Sequence, residues 1–266
     1  MRALSVLACC LALFFSVSCV IAVVDPRRPE HPNISLGRFE RELPLKSGGS
    51  VSLENTAGDI KIEGWDEESV EVVVEENIGF PPSARFYFLG WGHPKPDVRI
   101  EGNEEEIRIR IPRSEKKDDR RLFDCRLKVP RSVNLREIRN GAGDMQISGI
   151  YGSARLSGKE GAVRLLNFSG HLEVVLEKGT IEAELLDLRP QDEVAITVDD
   201  GDIALYLEPG IGAELEAEAP EGEVASEFDV SEPLPAKAVT AKLGEGGARI
   251  SLTARRGNLK IKKIEE

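Results

Sequence analysis

Histidine and cysteine, which often bind metals or act as nucleophiles, are scarce in this chain. Its 266 residues include three histidines, His31, His93 and His171, and their separation matches no His-x-x-x-His zinc pattern. The sequence also lacks a Gly-x-Ser-x-Gly elbow, a phosphate-binding loop and a dinucleotide fingerprint. We therefore expect no metal site, no cofactor and no enzymatic activity.

Cysteine is equally limited as a structural element. Of the four cysteines, Cys9, Cys10 and Cys19 lie before residue 25, which leaves Cys125 alone in the rest of the chain. A single cysteine forms no internal disulfide, so the chain is not a disulfide-stapled scaffold. Cys125 lies within residues 122–127, whose alternation is typical of a strand, and a buried apolar role is commoner there than catalysis.

Basic side chains are outnumbered by acidic ones. The 35 Lys and Arg residues stand against 47 Asp and Glu residues, which gives a net charge of −12. Contacts to phosphates need a basic surface, so we do not expect a nucleic acid as partner. With 41% hydrophobic and 31% charged residues, the composition also excludes a fully disordered chain and a multispan membrane protein.

One long uncharged run exists, at residues 3–24, and Arg2 precedes it. A short basic region before an apolar one is typical of an export signal. Three outcomes remain open. The sequence ending in Cys19 resembles a lipobox, which would make Cys19 the acylated N-terminus; cleavage after Ala22 would release the protein; and retention would leave a membrane anchor, because 22 residues span about 30 Å.

All three outcomes place the folded part outside the cytoplasm, in the cell envelope, and the first and third tether it to the membrane. We assign residues 1–24 to the signal or anchor and residues 25–38, which contain prolines, to a tether. Residues 39–264 are then the folded domain.

Glycine recurs every nine residues in the second half of the chain. The positions are Gly143, Gly152, Gly161, Gly170 and Gly179, and each begins the pattern Gly-x-φ-x-φ, where φ is apolar. The residue between the two φ positions is polar every time. A period of two is typical of strands, so one side of each strand faces a core and the other faces water. Turns that require positive φ explain the glycines.

The same unit recurs with looser spacing at Gly58, Gly201, Gly222, Gly246 and Gly257, where every φ position is apolar except Ser226. The best candidate for a helix, residues 213–219, alternates strictly and is bounded by glycines and prolines, so it also predicts a strand. The sequence therefore predicts an all-β protein.

Two arrangements satisfy a unit of about five strand residues and a four-residue turn. Successive strands can form antiparallel hairpins, as in a meander folded into a sandwich. Alternatively, two or more units close one rung of a β-solenoid, and the strands of neighbouring rungs stack in parallel about 4.8 Å apart. The regular repeat favours a single-domain β-solenoid or solenoid-like stack, because identical inward positions then form apolar columns.

Residues 79–96 interrupt this pattern as an insert rich in aromatic residues and proline in the N-terminal half. Its five aromatic residues are Phe80, Phe86, Tyr87, Phe88 and Trp91. One interpretation is a loop or hairpin that caps an end of the stack. The other is an exposed recognition loop for a sugar, a peptide or a membrane surface. The charge run at residues 113–121 predicts a solvated loop.

Three aspartates, Asp199, Asp200 and Asp202, surround one repeat glycine. They could bind calcium, or act as paired carboxylates in a polysaccharide-cleaving β-helix. Adjacent strand residues point to opposite faces, so only some of the three can converge. The competing interpretation is that they are turn residues whose carboxylates cap backbone amides.

Two stretches, residues 50–66 and 125–137, resemble a family of β-strand-repeat domains of unknown function that are labelled putative adhesins. The likeness covers residues 39–264. It implies an extracytoplasmic, solenoid-like all-β domain, common in bacterial envelope proteins, and it supplies no catalytic residues.

We therefore predict a non-enzymatic cell-envelope protein that acts in surface interaction, adhesion or scaffolding, with an envelope protein or a glycan as partner. A long solvent face, with Arg155 and Arg164 beside Glu173 and Glu182, would bind that partner through many weak contacts. Two alternatives stay open: a glycan-binding or glycan-cleaving β-helix that uses the three aspartates, and a sensory component of an envelope-stress system.

Overall fold

The structure is a computed structural model that describes residues 21–23, 34–78, 86–88, 96–112 and 121–264. The regular secondary structure in these ranges consists of β-strands alone. The first ten are β1 (Ile21–Val23), β2 (Ile34–Pro44), β3 (Ser50–Asn55), β4 (Ile60–Trp65), β5 (Ser69–Ile78), β6 (Phe86–Phe88), β7 (Arg99–Gly102), β8 (Glu106–Arg110), β9 (Arg121–Pro130) and β10 (Asn134–Ala142). The other ten are β11 (Met145–Ser148), β12 (Ala154–Phe168), β13 (Leu172–Leu185), β14 (Glu193–Asp200), β15 (Ile203–Leu207), β16 (Ala213–Glu218), β17 (Val224–Ser226), β18 (Ala238–Leu243), β19 (Ala248–Arg256) and β20 (Leu259–Lys263).

The strands form two long ladders that enclose one core. The first sheet has the order β7–β8–β3–β10–β12–β13–β14–β19–β16–β18. The second has the order β2–β5–β9–β4–β11–β12–β13–β15–β20–β17. Within these two sheets the strand pairs are parallel, except for the antiparallel pairs β7–β8, β16–β18, β5–β9 and β2–β5. This confirms the solenoid-like stack.

Each regular rung of the stack consists of two nine-residue units, one in each sheet. Residue 154 pairs with residue 172, and residue 163 pairs with residue 181, so the register advances by 18 residues from β12 to β13. From β13 to the rung of β14 and β15 the advance is 22 residues, because residue 172 pairs with residue 194 and residue 181 with residue 203. Consecutive glycine units therefore alternate between the two sheets. The four-residue turn expected between units is wrong at Gly161 and Gly179, because β12 and β13 pass through these corners as continuous strands.

The core is built from columns of identical inward positions. Met145, Val163, Leu172 and Ile181 all lie on strands and are no more than 1% exposed. Ile60, Met145, Val163, Ile181 and Ile203 stack directly on one another through successive rungs. Because each rung supplies only two short apolar faces, neighbouring rungs are needed to bury them.

The rung order departs from the chain order at both ends. The rung of β8 and β9 follows that of β3 and β4 in sequence but lies outside it. At the other end, β19 inserts between β14 and β16, and β20 between β15 and β17. The last rung of the chain is therefore hydrogen-bonded along both edges, and β16 and β17 form the end of the stack, where β18 pairs antiparallel with the outer edge of β16.

Other expectations also have clear outcomes. Residues 213–218 form strand β16, as predicted, and Cys125 is a buried residue of β9. Arg121, the last residue of the charge run, begins β9 and pairs with Glu76 at 3.2 Å, whereas the rest of the run lies outside the described residues. In the described ranges no helix is long and apolar enough to cross a membrane.

Candidate functional site

One corner of the stack is formed by a column of glycines from seven rungs. A Cβ atom at each would overlap a backbone atom of the adjacent rung, most often the carbonyl oxygen of the next glycine. The seven glycines, in spatial order, are Gly58, Gly143, Gly161, Gly179, Gly201, Gly257 and Gly222. The positive φ predicted from the sequence is present at four of the five regular repeat glycines. The exception, Gly152, lies on the opposite corner, and glycine is required there because a Cβ atom would overlap the Val133 carbonyl oxygen.

Most residues that follow a corner glycine form a hydrogen bond to the rung beside them. The Ala162 amide donates to Oδ1 of Asp144 at 2.8 Å, and the Asn258 amide donates to Oδ1 of Asp202 at 2.7 Å. These carboxylates therefore cap backbone amides between rungs, which is the structural role considered for the turn aspartates.

Three aspartates of this corner lie in adjacent rungs. The Asp59 amide donates to Oδ1 of Asp124, and the Asp144 amide donates to Oδ1 of Asp59, both at 2.9 Å. Although Asp59 is exposed as a residue, its carboxyl is partly enclosed by the neighbouring rungs, and this burial raises its pKa; repulsion from Asp124 and Asp144 adds to the shift. The folded state thus disfavours the ionised form of Asp59.

Replacing Asp59 with asparagine is expected to stabilise the protein slightly at neutral pH. The amide oxygen keeps an acceptor for the Asp144 amide, as Asn258 does for the Glu223 amide at 3.1 Å, and the charge is removed. A carboxyl whose folded pKa is raised loses stability as pH rises from its ordinary pKa of 3.8 through the raised value. The gain should stay below about 1 kcal/mol, because solvent screens these charges.

Urea unfolding of the Asp59→Asn protein at pH 3 and pH 7 measures this. The difference from the parent chain should be larger at pH 7. The control is Asp229→Asn, an exposed aspartate that follows β17 at the other end of the stack, which should show little change at either pH. A gain that is larger at pH 3 than at pH 7 would contradict the explanation.

The aspartates proposed for glycan cleavage do not converge. Oδ1 of Asp199 lies 3.3 Å from Arg255, and Oδ2 of Asp200 lies 3.6 Å from Arg256, whereas Asp202 caps the Asn258 amide. Each carboxylate thus has a separate partner. Among the described residues, no group of three or more His, Cys, Asp or Glu side chains is arranged to hold a metal ion. The geometry does not favour the glycan-cleaving alternative.

Cys125 is equally unsuited to nucleophilic chemistry. Its side chain is 1% exposed, and its thiol lies 3.6 Å from the carbonyl oxygen of Phe123. Burial, with a smaller contribution from the Asp124 charge, raises the pKa of the thiol well above its ordinary value. The thiolate is therefore strongly disfavoured, in agreement with the apolar role expected from the sequence.

The sequence predicted a single long solvent face, but the structure divides these side chains between the outer faces of the two sheets. Arg155 pairs with Glu173 at 2.6 Å on the first sheet, whereas Arg164 pairs with Glu182 at 3.5 Å on the second. The pairs themselves form as predicted, between rungs. They lie on different faces because consecutive nine-residue units belong to different sheets.

The outer face of the first sheet contains a shallow hollow, the arginine basin, of about 440 Å³. Ser52 lies among its lining residues. Its charged lining consists of Arg108, Arg110, Arg136, Arg139 and Arg155 with Glu54, Glu106 and Glu137. This site was not predicted from the sequence, although the arginines of β8 alternate with isoleucines in residues 106–110.

A second hollow, the corner groove, adjoins the basin and has a volume of about 630 Å³. Arg139 and Glu54 line both hollows. The groove adds Arg121 and Lys159 as cations and Glu177 as an anion. Its lining also includes Ala57, Ala142, Gly158 and the exposed Val175.

The other candidate residues are outside the part of the chain whose side chains are described. This applies to Cys19 and to the aromatic residues Phe80, Phe86, Tyr87, Phe88 and Trp91. Of the insert, only the backbone of strand β6 is described, and it pairs antiparallel with β1, the end of the apolar N-terminal run. Both interpretations of the insert therefore stay predictions.

The chain is similar in fold to a solved structure of a known protein. A crystal structure of a putative cell adhesion protein from Clostridium sporogenes covers 85% of this chain and 100% of its own, with a TM-score of 0.52 and 14% identity. A putative adhesin from Bacteroides fragilis (85% of this chain, 97% of its own, 10% identity) has a TM-score of 0.29. A putative lipid binding protein from Parabacteroides distasonis (86% and 97%, 12% identity) has a TM-score of 0.26. These last two scores do not establish a shared fold.

No curated protein matches the chain. A family model does match, over residues 131–262, which contain all five regularly spaced glycine units and nearly all of the inserted last rung. The stacked rungs and the expected β-repeat family thus agree with this match. The family whose model matches residues 131–262 is Toastrack, DUF4097, so this part of the chain is similar to that family.

Proposed function

We propose that the protein is a non-enzymatic module of the cell envelope that holds a partner on the outer face of its first sheet. The observation that carries this is a continuous buried core under rows of exposed side chains in fixed register. Such a surface is pre-organised, so little conformational freedom is lost when a partner binds.

The proposed location in the cell envelope rests on residues 1–24, which would export the domain and tether it to the membrane through Cys19 or as an uncleaved anchor. The likeness to a putative cell adhesion protein supports an extracytoplasmic interaction role. The ion pairs that cover the first sheet are exposed, and exposed pairs contribute little to stability, typically 0–1 kcal/mol each. Their charges therefore remain available to a partner.

Attachment of cells tests this proposal. Cells of the source organism that lack the protein should attach several-fold more weakly than parent cells to wells coated with purified envelope polysaccharide, and the restored gene should recover attachment. A restored chain with Cys19→Ser separates the lipid tether from the other two outcomes, and mass spectrometry of the mature N-terminus identifies which one occurs. Equal attachment with and without the protein would reject the proposal.

A further inference from the structure

We propose that the arginine basin and the corner groove form one binding site for an acidic polysaccharide whose sugars carry carboxylates. This names the ligand class of the interaction function proposed above and rests on it. The two hollows share Arg139 and Glu54, so they form one continuous surface.

The local charge has the opposite sign to the charge of the whole chain. The combined lining holds seven cations and four carboxylates, whereas the net charge of the protein is −12. Cationic side chains gathered on an acidic protein create a local potential that attracts an anionic ligand.

The arginines keep donors for a ligand. Arg110 and Arg136 are 70% and 66% exposed, and both contact their carboxylates, Glu54 and Glu106, at 3.6 Å. A guanidinium carries five N–H donors, and one carboxylate contact leaves several of them facing water. Its planar fork matches a carboxylate in bidentate geometry better than an ammonium does.

The shape fits a polymer better than a single ion. The basin spans strands β8, β3, β10 and β12, which at about 4.8 Å per strand is about 15 Å across, and the groove extends it around the corner. Small residues, including Ser52, Ala57 and Gly158, keep the lining low. Val175, which is 43% exposed, offers an apolar contact for the C–H face of a sugar ring.

The far half of the same sheet argues against a duplex or a flat anionic membrane. Glu214, Glu216 and Glu218 of β16 are exposed on its outer face, and Glu216 stands beside Ser251 in the ladder rather than beside a cation. A long anionic surface laid along the whole face would meet these carboxylates. A flexible polysaccharide can occupy the cationic half alone.

The experiment measures binding of polygalacturonate to the full-length chain purified in detergent. The double variant Arg136→Gln with Arg139→Gln should bind at least about tenfold more weakly at low salt, because two of the exposed cations are lost. The matched control is Arg249→Gln with Arg255→Gln, which removes two exposed arginines from the far half of the same face. It should bind like the parent chain.

Two further arms make the result specific. Replacing Arg136 and Arg139 with lysines should recover part of the affinity, and neutral dextran should bind none of the proteins. Circular dichroism must show equal thermal unfolding of all variants. No binding of polygalacturonate by the parent chain, or equal weakening in both double variants, would overturn this assignment. The cell-attachment experiment is a separate test of the proposed function.

Discussion

Replacing Gly179 with alanine is expected to destabilise the protein by about 3–5 kcal/mol. The residue has a φ of +137°, and a Cβ atom there would overlap the carbonyl oxygen of Gly161 in the next rung. Such backbone conformations cost a non-glycine residue about 1–3 kcal/mol, and forcing an atom into a packed structure costs a similar amount again. The overlapping atom is backbone within a hydrogen-bonded ladder, so it cannot move aside as a side chain would.

Two other glycines separate the contributions. Gly48 has a φ of +77° with open space around its Cβ position, so alanine there should cost only about 1–2 kcal/mol. Gly210 has open space and no positive φ, so alanine there should change stability by less than about 0.5 kcal/mol.

Urea unfolding followed by circular dichroism gives the three values, and the melting temperature of the Gly179→Ala protein should fall by about 10 °C. The loss of unfolding free energy should be far larger for Gly179→Ala than for Gly48→Ala, and it should be near zero for Gly210→Ala. If the Gly179 and Gly48 variants lost equal stability, the close approach between rungs would contribute nothing, and the corner column would be a matter of backbone conformation alone.

The local architecture was predictable from the sequence because its determinants are local. Strand alternation follows from neighbouring residues, and glycines nine residues apart define the repeating unit. The sequence left two or more units per rung open, and the structure has two, which gives 18 residues from β12 to β13. The inward positions Met145 and Val163 were predictable from the strand alternation. The continuous strands through Gly161 and Gly179 were not, because a glycine signals a corner without showing whether the strand is interrupted there.

The rung order at the ends was not predictable. The units that begin at Gly222 and Gly257 share an apolar first φ position and differ at the second, where Ser226 stands opposite Ile261. This single difference does not fix which unit lies beside β15. Backbone hydrogen bonds are identical for both orders, and only the fit of particular side chains between rungs distinguishes them. Pattern alone carries no record of that fit.

The arginine basin was missed for the same reason. Arg108 contacts Glu106 within β8, whereas Arg136 is 30 positions after Glu106 and contacts it from β10, because only β3 lies between β8 and β10. The aspartates showed the opposite error: residues close together in sequence suggested a common site, yet Asp199 and Asp200 have separate partners. Proximity in a solenoid depends on the rung order more than on sequence distance.

Replacing Phe168 with alanine is expected to cost about 3–5 kcal/mol. Among the described residues Phe168 is the largest fully buried side chain, and it lies in a central rung, at the end of β12 and paired with Leu185 of β13. Its removal leaves a cavity that the ladders on either side, held by parallel hydrogen bonds, cannot close.

The control is Phe228→Ala. Phe228 is partly buried, packs against the core next to the terminal strand β17, and has Lys263 Nζ 5.2 Å from its ring centroid. It loses less apolar burial and can relax toward solvent, so about 1–2 kcal/mol is expected. Urea unfolding measures both variants, and a Phe168 cost equal to or below that of Phe228 would contradict the central packing.

Hydrogen exchange should show where each defect spreads. In a stack where each rung contacts only its neighbours, a central defect weakens rungs on both sides, whereas a terminal one frays a single end. The Phe168→Ala protein should therefore exchange faster in β11 and in the C-terminal half of β13, which flank that part of β12 in the second sheet. The Phe228→Ala protein should exchange faster only near β17 and β20, because β17 pairs with β20 and no central rung contacts it.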